Sequence, residues 1–560
     1  MGYDLKIVGG RIIDGTGEPA YEGDVGIKDG KVVALGKAPE AADATINAGG
    51  RIVAPGFVDI HTHYDAQINW DPMLSISPWH GVTTVVMGNC GFGIAPTRRE
   101  HRDLIVRTLE NVEGMSVKSL EAGLGADWSF ETFPEYLDSV EKGGSSINVA
   151  ALLGHTPLRL YVMGPESTER AATDEEVARM KDIMREGLEA GALGFATSKS
   201  PTHVGYEGRP VPSRMAEFSE IRDIASALGE QKAGIIQATV GRDLSFDEFA
   251  ELNKVSGRHV SWTALLGGGG VLNVGSMEEQ LTRSAELVKN GYEVFPQVTC
   301  RPLNFEFRFD QPFLFQSMPA FAPVNKADHA GKLKLYADAD FREGFRASVQ
   351  GGMRAAWEKT VVSFCSNMPD YEERLVSEIA KEKGVDSLDL ALDLSLESDL
   401  TTRFRIPVAN SNEDDIAILL KDPATVLGLS DAGAHASQLC DACFSTYLLG
   451  HWVREKKVLS LEEAVRMLTS RPAEVFGIKD RGKLEKGAPA DVVVFDPDTV
   501  GASALRRVHD LPAGEDRLIA DAIGVTAVVV NGTIIRENDT DVLNGNDKLP
   551  GLLLRHGAAA

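Results

Sequence analysis

Eight short apolar runs constrain the fold of this chain most strongly. They read GFVDIHTH, VTTVVMGNC, SINVAALLGH, GALGFATS, GIIQATV, HVSWTALLG, YEVFPQVT and ATVLGLSDAG. Helix-like stretches lie between several of them, such as TDEEVARMKDIMREGLEA, which follows an N-cap at Thr173 and has apolar residues at a 3.6-residue period. Eight strands separated by crossovers predict an α/β fold, a (β/α)8 TIM-type barrel of parallel strands.

The two ends of the chain share a different pattern. YDLKIVGGRIIDG near the start and VTAVVVNGTIIREN near the end are strand-like runs broken by Gly-Gly or Asn-Gly turns, as in hairpins. We therefore expect residues 1–55 and 480–560 to form a composite β-sandwich, with the barrel at 56–479. Two non-periodic stretches, about 100–145 and 301–350, are expected to be long loop insertions, where lids are commonly built.

Composition limits the partners of the chain. The formal net charge of −25 over 560 residues argues against nucleic acid and against anionic membrane as partners. No apolar run approaches the length of a membrane span, and MGYDLKIVGGRIIDG lacks the pattern of a signal peptide. Five cysteines, few and odd in number, fit a reducing compartment, so we expect a cytoplasmic protein. The sequence leaves open whether the protein forms a homo-oligomer.

Residues suited to metal binding stand at the ends of the first two strands. His61 and His63 are two residues apart, so both imidazoles face one side and could grip a divalent metal. The alternative is a pair of histidines hydrogen-bonded within a polar turn. Cys90 ends VTTVVMGNC, where its thiolate could bind zinc, or where it could be a buried free cysteine.

Further candidates follow later strands. Asp431, in GLSDAGAH, could ligate the metal and accept a proton from an activated water, or it could cap the following turn. His435, four residues on, could orient substrate or line the loop. His155, in GHTPLR, could be a metal ligand, a substrate contact or a core histidine.

Three basic residues complete the set. Lys199, after GFATS, could be carbamylated and bridge two metals, although an ordinary lysine is the commoner case. His203 lies near the same strand end and is a candidate for substrate binding. Arg301, after the seventh strand, could hold a substrate carboxylate through paired hydrogen bonds or pair with an acidic residue in the lid.

Other motifs exclude competing chemistries. Cys440 and Cys443 form a CxxC without a second pair, which favours a structural role. The run Gly267–Gly270 lacks both GxGxxG spacing and a Walker lysine, so nucleotide binding is not expected. GHTPLR has no serine in a nucleophile-elbow pattern.

Taken in order, APGFVDIHTHYDAQ, GVTTVVMGNCGFGIAP, GHTPLR, GALGFATS, GLSDAGAH and KGAPADVVVFDP resemble the amidohydrolase superfamily, and more narrowly the D-aminoacylase (N-acyl-D-amino-acid deacylase) family. The resemblance implies a metal-dependent barrel with a split β-sandwich that hydrolyses an amide or similar C–N bond through a metal-activated water. His61 and His63 match the ligands of the first strand, Cys90 matches the zinc cysteine of this branch, and Asp431 matches the catalytic aspartate. The implied cofactor is Zn²⁺, as one or two ions.

One departure from the family pattern stands out. The family takes further zinc ligands from histidines on the fifth and sixth strands, whereas GIIQATV and HVSWTALLG do not end in histidine, and His259 is at the wrong end of its run. Either one ion is held by His61, His63, Asp431 and Cys90, or another residue such as His155 or His203 has taken over.

The expected activity is deacylation of an N-acyl-(D-)amino acid or a similar small carboxylate-bearing amide. Two alternatives stay open: a hydrolase of cyclic amides or ureas, and a non-catalytic scaffold that keeps the fold. The expected partner is therefore a small-molecule amide.

Overall fold

The structure is a computed structural model that describes residues 2–126, 128–205, 208–268, 275–316 and 318–559. The chain divides into two compact units. The first comprises Met1–Cys300, Ile416–Ala436 and Cys440–Ala560, and the second comprises Arg301–Asp415 and Ser437–Leu439. Gly269 and Gly270, half of the glycine run considered above, lie outside the described residues.

The strands are β1 (Tyr3–Ile12), β2 (Tyr21–Lys28), β3 (Lys31–Gly36), β4 (Ala42–Asn47), β5 (Ile52–Pro55), β6 (Phe57–Asp59), β7 (Val82–Met87), β8 (Asn148–Gly154), β9 (Gly194–Ser198), β10 (Ile235–Thr239), β11 (Val260–Thr263), β12 (Val294–Val298), β13 (Leu303–Phe307), β14 (Val361–Phe364), β15 (Arg403–Ala409), β16 (Val426–Leu427), β17 (Val492–Phe495), β18 (Gly501–Ala502), β19 (Arg506–Val508), β20 (Arg517–Ile519), β21 (Ala522–Ile523), β22 (Val525–Val530), β23 (Thr533–Glu537) and β24 (Thr540–Asp541).

The α-helices are α1 (Arg102–Glu113), α2 (Val117–Leu124), α3 (Phe133–Gly143), α4 (His155–Met163), α5 (Asp174–Glu189), α6 (Phe218–Gln231), α7 (Phe246–Ser256), α8 (Met277–Lys289), α9 (His329–Ala337), α10 (Ala339–Ser348), α11 (Gly351–Trp357), α12 (Val376–Lys383), α13 (Ser387–Glu397), α14 (Glu413–Lys421), α15 (Phe444–Tyr447), α16 (Leu461–Leu468) and α17 (Ser470–Phe476). Among the described residues, no helix is both long and apolar enough to cross a bilayer.

The eight runs singled out in the sequence form one parallel sheet, in the order β16-β12-β11-β10-β9-β8-β7-β6. A parallel bridge between Thr62 and Ala432 joins the first strand to the last. There the His63 amide donates to the Ala432 carbonyl at 2.7 Å, and the Asp431 amide donates to the His61 carbonyl at 3.1 Å. The predicted (β/α)8 fold is confirmed.

Burial explains why these runs are apolar throughout. Every residue of β7, β8, β9 and β10 is buried, as expected for parallel strands covered on both faces. Helix α5 begins at the predicted cap: the Thr173 side chain accepts from the Glu176 amide, and the Glu176 carboxylate accepts from the Thr173 amide. Helices thus return the chain between strands and leave the strand ends free to carry a site.

Both termini contribute to one further sheet, ordered β24-β23-β22-β17-β5-β1-β2-β3, with β4 paired to β1. The two ends meet where β17 runs antiparallel to β5 and Val493 lies opposite Ala54. The shared terminal β-structure predicted as part of the fold is present. The domain boundaries at 55 and 480 stay a prediction.

The stretches expected to be loop insertions contain regular structure. Residues 100–145 hold α1, α2 and α3. The second unit has an antiparallel sheet, β13-β15-β14, and a core of its own rich in aromatic rings, including Phe309, Phe315, Phe345 and Trp357. These aromatic residues come from short helices, turns and loops, so no single period marks them in the sequence.

Candidate metal centre

Two histidines follow β6 and turn into the barrel mouth. His61 and His63 are both buried, and their ring centroids lie 5.4 Å apart. Asp59 Oδ1 accepts a hydrogen bond from the His61 amide at 3.2 Å. Alternation along an extended backbone places both imidazoles on one side, as the spacing predicted.

Cys90 and Asp431 approach the same histidines from other strand ends. Cys90 Sγ lies 3.3 Å from His61 Nε2. Asp431 Oδ1 lies 3.2 Å from His61 Nε2 and 3.6 Å from His63 Nε2. Cys90 and Asp431 both have left-handed backbone, with φ of 55° and 46°. Non-glycine residues pay for this conformation, and such strain concentrates at functional sites.

These separations suit a bound ion. Nitrogen, oxygen and sulfur ligands at about 2.0–2.3 Å from a tetrahedral Zn²⁺ lie about 3.3–3.6 Å from one another. The measured distances between neighbouring ligand atoms run from 3.2 to 3.6 Å. Within the part of the chain that the structure describes, His61, His63 and Cys90 are the group whose ligand atoms converge in this way. The donor set of imidazole, thiolate and carboxylate is one that zinc prefers.

Three side chains outside this group hold its members in place. The Nδ1 atoms of His61 and His63 lie 2.7 Å from Gln297 Oε1 and 3.2 Å from Glu113 Oε1, respectively. The Nδ1–H of His61 can therefore donate to Gln297, which leaves Nε2 with its lone pair for a metal, and Glu113 places a carboxylate beside Nδ1 of His63. The Cys90 amide donates to Gln237 Oε1 at 2.7 Å.

Glu113, Gln237 and Gln297 were not predicted from the sequence. Glu113 is the last residue of α1 and lies in the stretch expected to be a loop. The two glutamines lie within strands β10 and β12, where a polar residue in an apolar run was the available signal.

Electrostatics favour the ionised ligands. Burial alone would raise the pKa of the Cys90 thiol, but the charges of His61 and His63 lower it to about 6. Burial likewise opposes ionisation of Asp431, and the contacts with His63 and His61 still hold its pKa below the usual range. Burial raises the pKa of Glu113 to about 7, despite the opposing effect of His63. The Cys90 thiolate and the Asp431 carboxylate therefore lie together in a buried site, and a bound cation would neutralise their negative charges.

The fifth and sixth strands supply neutral groups where the family pattern has histidines. Gln237 Nε2 donates to Thr263 Oγ1 at 3.4 Å, and Gln297 Nε2 donates to Ser261 Oγ at 3.1 Å. These amides and hydroxyls are hydrogen-bonded to one another, and the two glutamines also contact Cys90 and His61. His259 directly precedes β11, at the end of the strand away from the site, with Nδ1 2.9 Å from the Val475 carbonyl oxygen.

His155 does not join the ligand group. Both of its ring nitrogens are engaged, at 2.8 Å from Thr197 Oγ1 and 2.8 Å from Glu220 Oε1. Glu220 also pairs with the fully buried Arg159. Burial lowers the pKa of His155, so the imidazole is neutral within a buried hydrogen-bonded network. The expected metal-ligand role therefore has no support in the geometry.

Lys199 also lies outside the ligand group. Its Nζ donates to the carbonyl oxygens of Arg214 at 2.8 Å and Ala216 at 2.6 Å. Donation to two carbonyls is the bonding of an ammonium or amine, and it leaves the carbamylated form without geometric support.

The predicted substrate contacts are distributed differently. His203 Nδ1 lies 2.7 Å from Ser198 Oγ, and its ring centroid lies 5.0 Å from that of Phe92. His435 has left-handed backbone, and its amide donates to the Glu113 carbonyl. Arg301 belongs to the second unit, where its carbonyl accepts from Asn410 Nδ2 at 2.8 Å. Their roles in substrate binding stay predictions.

A small cavity adjoins the site, and the two cysteines of the CxxC motif lie elsewhere in the fold. A cavity of about 10 Å³, room for about one water, lies beside His63 and is lined by Asp65, Phe92 and Glu113 among others. Cys440 and Cys443 are buried and form no disulfide, and Cys443 Sγ lies 3.5 Å from the Cys440 carbonyl oxygen.

A parallel barrel with histidine, cysteine and aspartate side chains that converge at the carboxyl ends of its strands is typical of one class of protein, the metal-dependent barrel hydrolases. The chain belongs to the amidohydrolase family, whose model matches residues 44–536.

Individual relatives are similar along nearly the whole chain. D-aminoacylase of Alcaligenes xylosoxydans xylosoxydans is 28% identical over 95% of this chain and 94% of its own. N-acyl-D-glutamate deacylase of the same organism is 29% identical over 95% and 93%. The crystal structure of N-acyl-D-glutamate deacylase from Bordetella bronchiseptica, complexed with zinc and a phosphonate mimic of the tetrahedral intermediate, is 26% identical with a TM-score of 0.66, covering 99% of this chain and 100% of that one.

Proposed function

We propose that this protein is a metal-dependent hydrolase of linear amide C–N bonds that deacylates an N-acyl-(D-)amino acid or a similar small carboxylate-bearing amide. The observation that carries this proposal is the convergence of His61 Nε2, His63 Nε2, Cys90 Sγ and Asp431 Oδ1 at the barrel mouth. The deacylase activity named for relatives that align over nearly the full chain supports the substrate class.

The four converging side chains would hold the metal. A divalent ion such as Zn²⁺ supplies Lewis acidity there, which polarises an amide carbonyl and lowers the pKa of water. Asp431 is ionised because its pKa lies below the usual range, so it can accept the proton of the attacking water. Its Oδ1 faces both histidines, which leaves Oδ2 for proton transfer to the departing amine.

We propose that the site takes one ion. Gln237 on the fifth strand and Ser261 and Thr263 on the sixth stand where a second position would need ligands. Gln237 is hydrogen-bonded to Thr263, and Ser261 is hydrogen-bonded to Gln297 on the seventh strand. A neutral amide is a poor zinc ligand beside an imidazole or a thiolate. The glutamines instead orient Cys90 and His61.

The test combines turnover with metal analysis. Purified zinc-loaded protein is offered N-acetyl-D-amino acids, their L-enantiomers and cyclic imides, and amine release or ring opening is measured. Hydrolysis of an N-acetyl amino acid with about one zinc per chain supports the proposal. Turnover of cyclic imides alone, or no stoichiometric metal, contradicts it.

An Asp431→Asn variant tests the assignment of the proton acceptor. We expect kcat to fall by roughly 10²- to 10⁴-fold while zinc is retained, because three ligands persist and the base does not. Asp498→Asn, at an exposed position of the terminal domain, is the matched control and should behave as wild type. Near-wild-type turnover in Asp431→Asn would refute the role.

We also propose a cytoplasmic location. All five cysteines are buried and none forms a disulfide, which suits a reducing compartment. Fractionation of the native host, followed by detection of the protein, tests this.

A further inference from the structure

The segment between β9 and α6, residues 199–217, carries three cationic side chains and a histidine. The cationic side chains are those of Lys199, Arg209 and Arg214, and the histidine is His203; Arg209 is exposed, whereas Lys199 and Arg214 are partly buried. The segment follows the carboxyl end of β9, and the residues that follow β6 and β7 carry the metal ligands from the same end of the barrel.

Arg214 is a partly buried guanidinium whose charge is not neutralised. Its Nη1 donates to the His203 carbonyl at 3.0 Å, and the residues described place no carboxylate within ion-pair distance of it. Other arginines nearby differ: Arg159 pairs with Glu220, and Arg209 lies 3.3 Å from Glu169. Burial lowers the pKa of Arg214, which reflects the cost of holding a cation without an anion.

Lys199 anchors the backbone of Arg214. Its Nζ donates to the carbonyls of Arg214 and Ala216, and these bonds tie residues 214–216 to the end of β9. Lys199 thereby acts as a positioning residue, and Arg214 is held where β9 ends instead of extending freely into solvent.

A chain of contacts leads from Arg214 to the metal ligands. Arg214 bonds to the backbone of His203, and the His203 ring packs edge-on against Phe92 at 5.0 Å. Phe92 lies two residues after Cys90 and lines the small cavity beside His63. His203 Nδ1 also lies 2.7 Å from Ser198 Oγ, at the end of β9.

We propose that Arg214 binds the substrate carboxylate, the role that the sequence suggested for Arg301, and so selects amides whose amine portion carries a free carboxylate. A guanidinium presents two parallel N–H groups that match the two oxygens of a carboxylate. The anion would neutralise the partly buried cation. This proposal rests on the proposed function, because the bound amide is taken to be the substrate of that reaction; Arg214 accounts only for the preference for a carboxylate.

The test uses a matched pair of ligands that differ only in charge. N-acetyl-D-leucine and N-acetyl-D-leucinamide have the same acyl group and side chain, and calorimetry on the zinc-loaded Asp431→Asn protein measures binding without turnover. We expect the carboxylate to bind about 10- to 100-fold more tightly than the carboxamide. Arg214→Gln should abolish this preference, and Arg214→Lys should retain part of it because the charge stays and the paired geometry is lost.

Arg209→Gln is the control, because Arg209 lies in the same segment but is exposed and paired with Glu169. It should keep the preference in full. Equal binding of the two ligands by the parent protein, or an unchanged preference in Arg214→Gln, would overturn the inference. The melting temperature of each variant shows whether loss of binding reflects loss of folding.

Hydrolysis by the protein with Asp431 intact separates this inference from the proposed function. If carboxylate-dependent binding requires Arg214 but no amide is hydrolysed, the proposed function is wrong and the role of Arg214 in carboxylate binding is supported. If N-acetyl-D-leucine is hydrolysed with the same kcat/KM in wild type and Arg214→Gln, the proposed function is supported and the role of Arg214 in carboxylate binding is wrong.

Discussion

Glu113 lies outside the group of converging side chains but directly contacts one of them, His63. Its carboxylate lies 3.2 Å from His63 Nδ1, while His63 Nε2 faces Asp431 at 3.6 Å. A carboxylate behind a metal-bound histidine fixes the ring and raises its basicity. We therefore propose that the end of α1 supports metal binding without carrying a ligand itself.

We predict that Glu113→Gln weakens zinc binding by about 10- to 100-fold, because an amide orients His63 but does not supply the negative charge. Competition with a zinc chelator measures the affinity. Glu121→Gln, at an exposed position of α2, is the control and should bind zinc as wild type does. Wild-type affinity in Glu113→Gln would mean that the His63 contact is incidental.

At this scale the sequence was informative for residues whose chemistry is distinctive. His61, His63, Cys90 and Asp431 could be singled out because parallel strands in a barrel end at one face, and the structure brings these four together. Gln237, Gln297 and Arg214 could not, because their roles depend on which backbone amide or ring each one meets after folding.

Among the elements, α4 and α6 are joined by a buried charge network. Arg159 on α4 and Glu220 on α6 form an ion pair, and Glu220 also contacts His155 Nε2 at 2.8 Å. Arg159 is fully buried. The network fixes the helix that starts after β8 against the helix that precedes β10.

We predict that Glu220→Gln lowers the free energy of unfolding by about 3–5 kcal/mol, because it leaves Arg159 as a buried cation without an anion. Urea denaturation measures the change. Glu230→Gln on the same helix is the control: Glu230 is exposed and pairs with Arg185 and Lys181, so its loss should cost less than about 1 kcal/mol.

The same network predicts an acid dependence. Burial opposes ionisation of Glu220, but His155 and Arg159 lower its pKa below the ordinary 4.5. A depressed folded-state pKa contributes stability that is complete above the ordinary value and is lost as pH falls through the folded value. The difference between wild type and Glu220→Gln should therefore shrink below pH 4.5. A difference that grows on acidification would contradict this assignment.

The elements themselves were predictable where one period dominates. All eight barrel strands follow from apolar runs, and α5 follows from its cap and amphipathic spacing. The second unit was not predicted, since its core is assembled from aromatic side chains in short turns and helices. Such a core depends on contacts between distant residues that no local pattern records.

At the scale of the whole molecule, metal binding and stability should be coupled. A ligand that binds only the folded state stabilises it by about 2.7 kcal/mol at a free concentration 100 times its Kd. We predict that removing zinc by a chelator lowers the melting temperature and that zinc, but not magnesium, restores it, because the site offers nitrogen and sulfur ligands. An unchanged melting temperature after verified removal would argue against tight binding by the folded chain.

The composite terminal sheet was predictable in outline from the hairpin signals at both ends. We propose residues 55 and 480 as the boundaries of this domain. Limited proteolysis at these positions tests them.

The Thr62–Ala432 bridge has a consequence for how the protein matures. The proposed ligands His61 and His63 flank Thr62, and Asp431 directly precedes Ala432. A nascent chain whose final barrel strand has not yet been synthesised lacks both this bridge and the carboxylate proposed to accept the proton. With these proposed roles, we expect activity to arise only when the barrel is complete, and a chain arrested during synthesis to be inert instead of partially active.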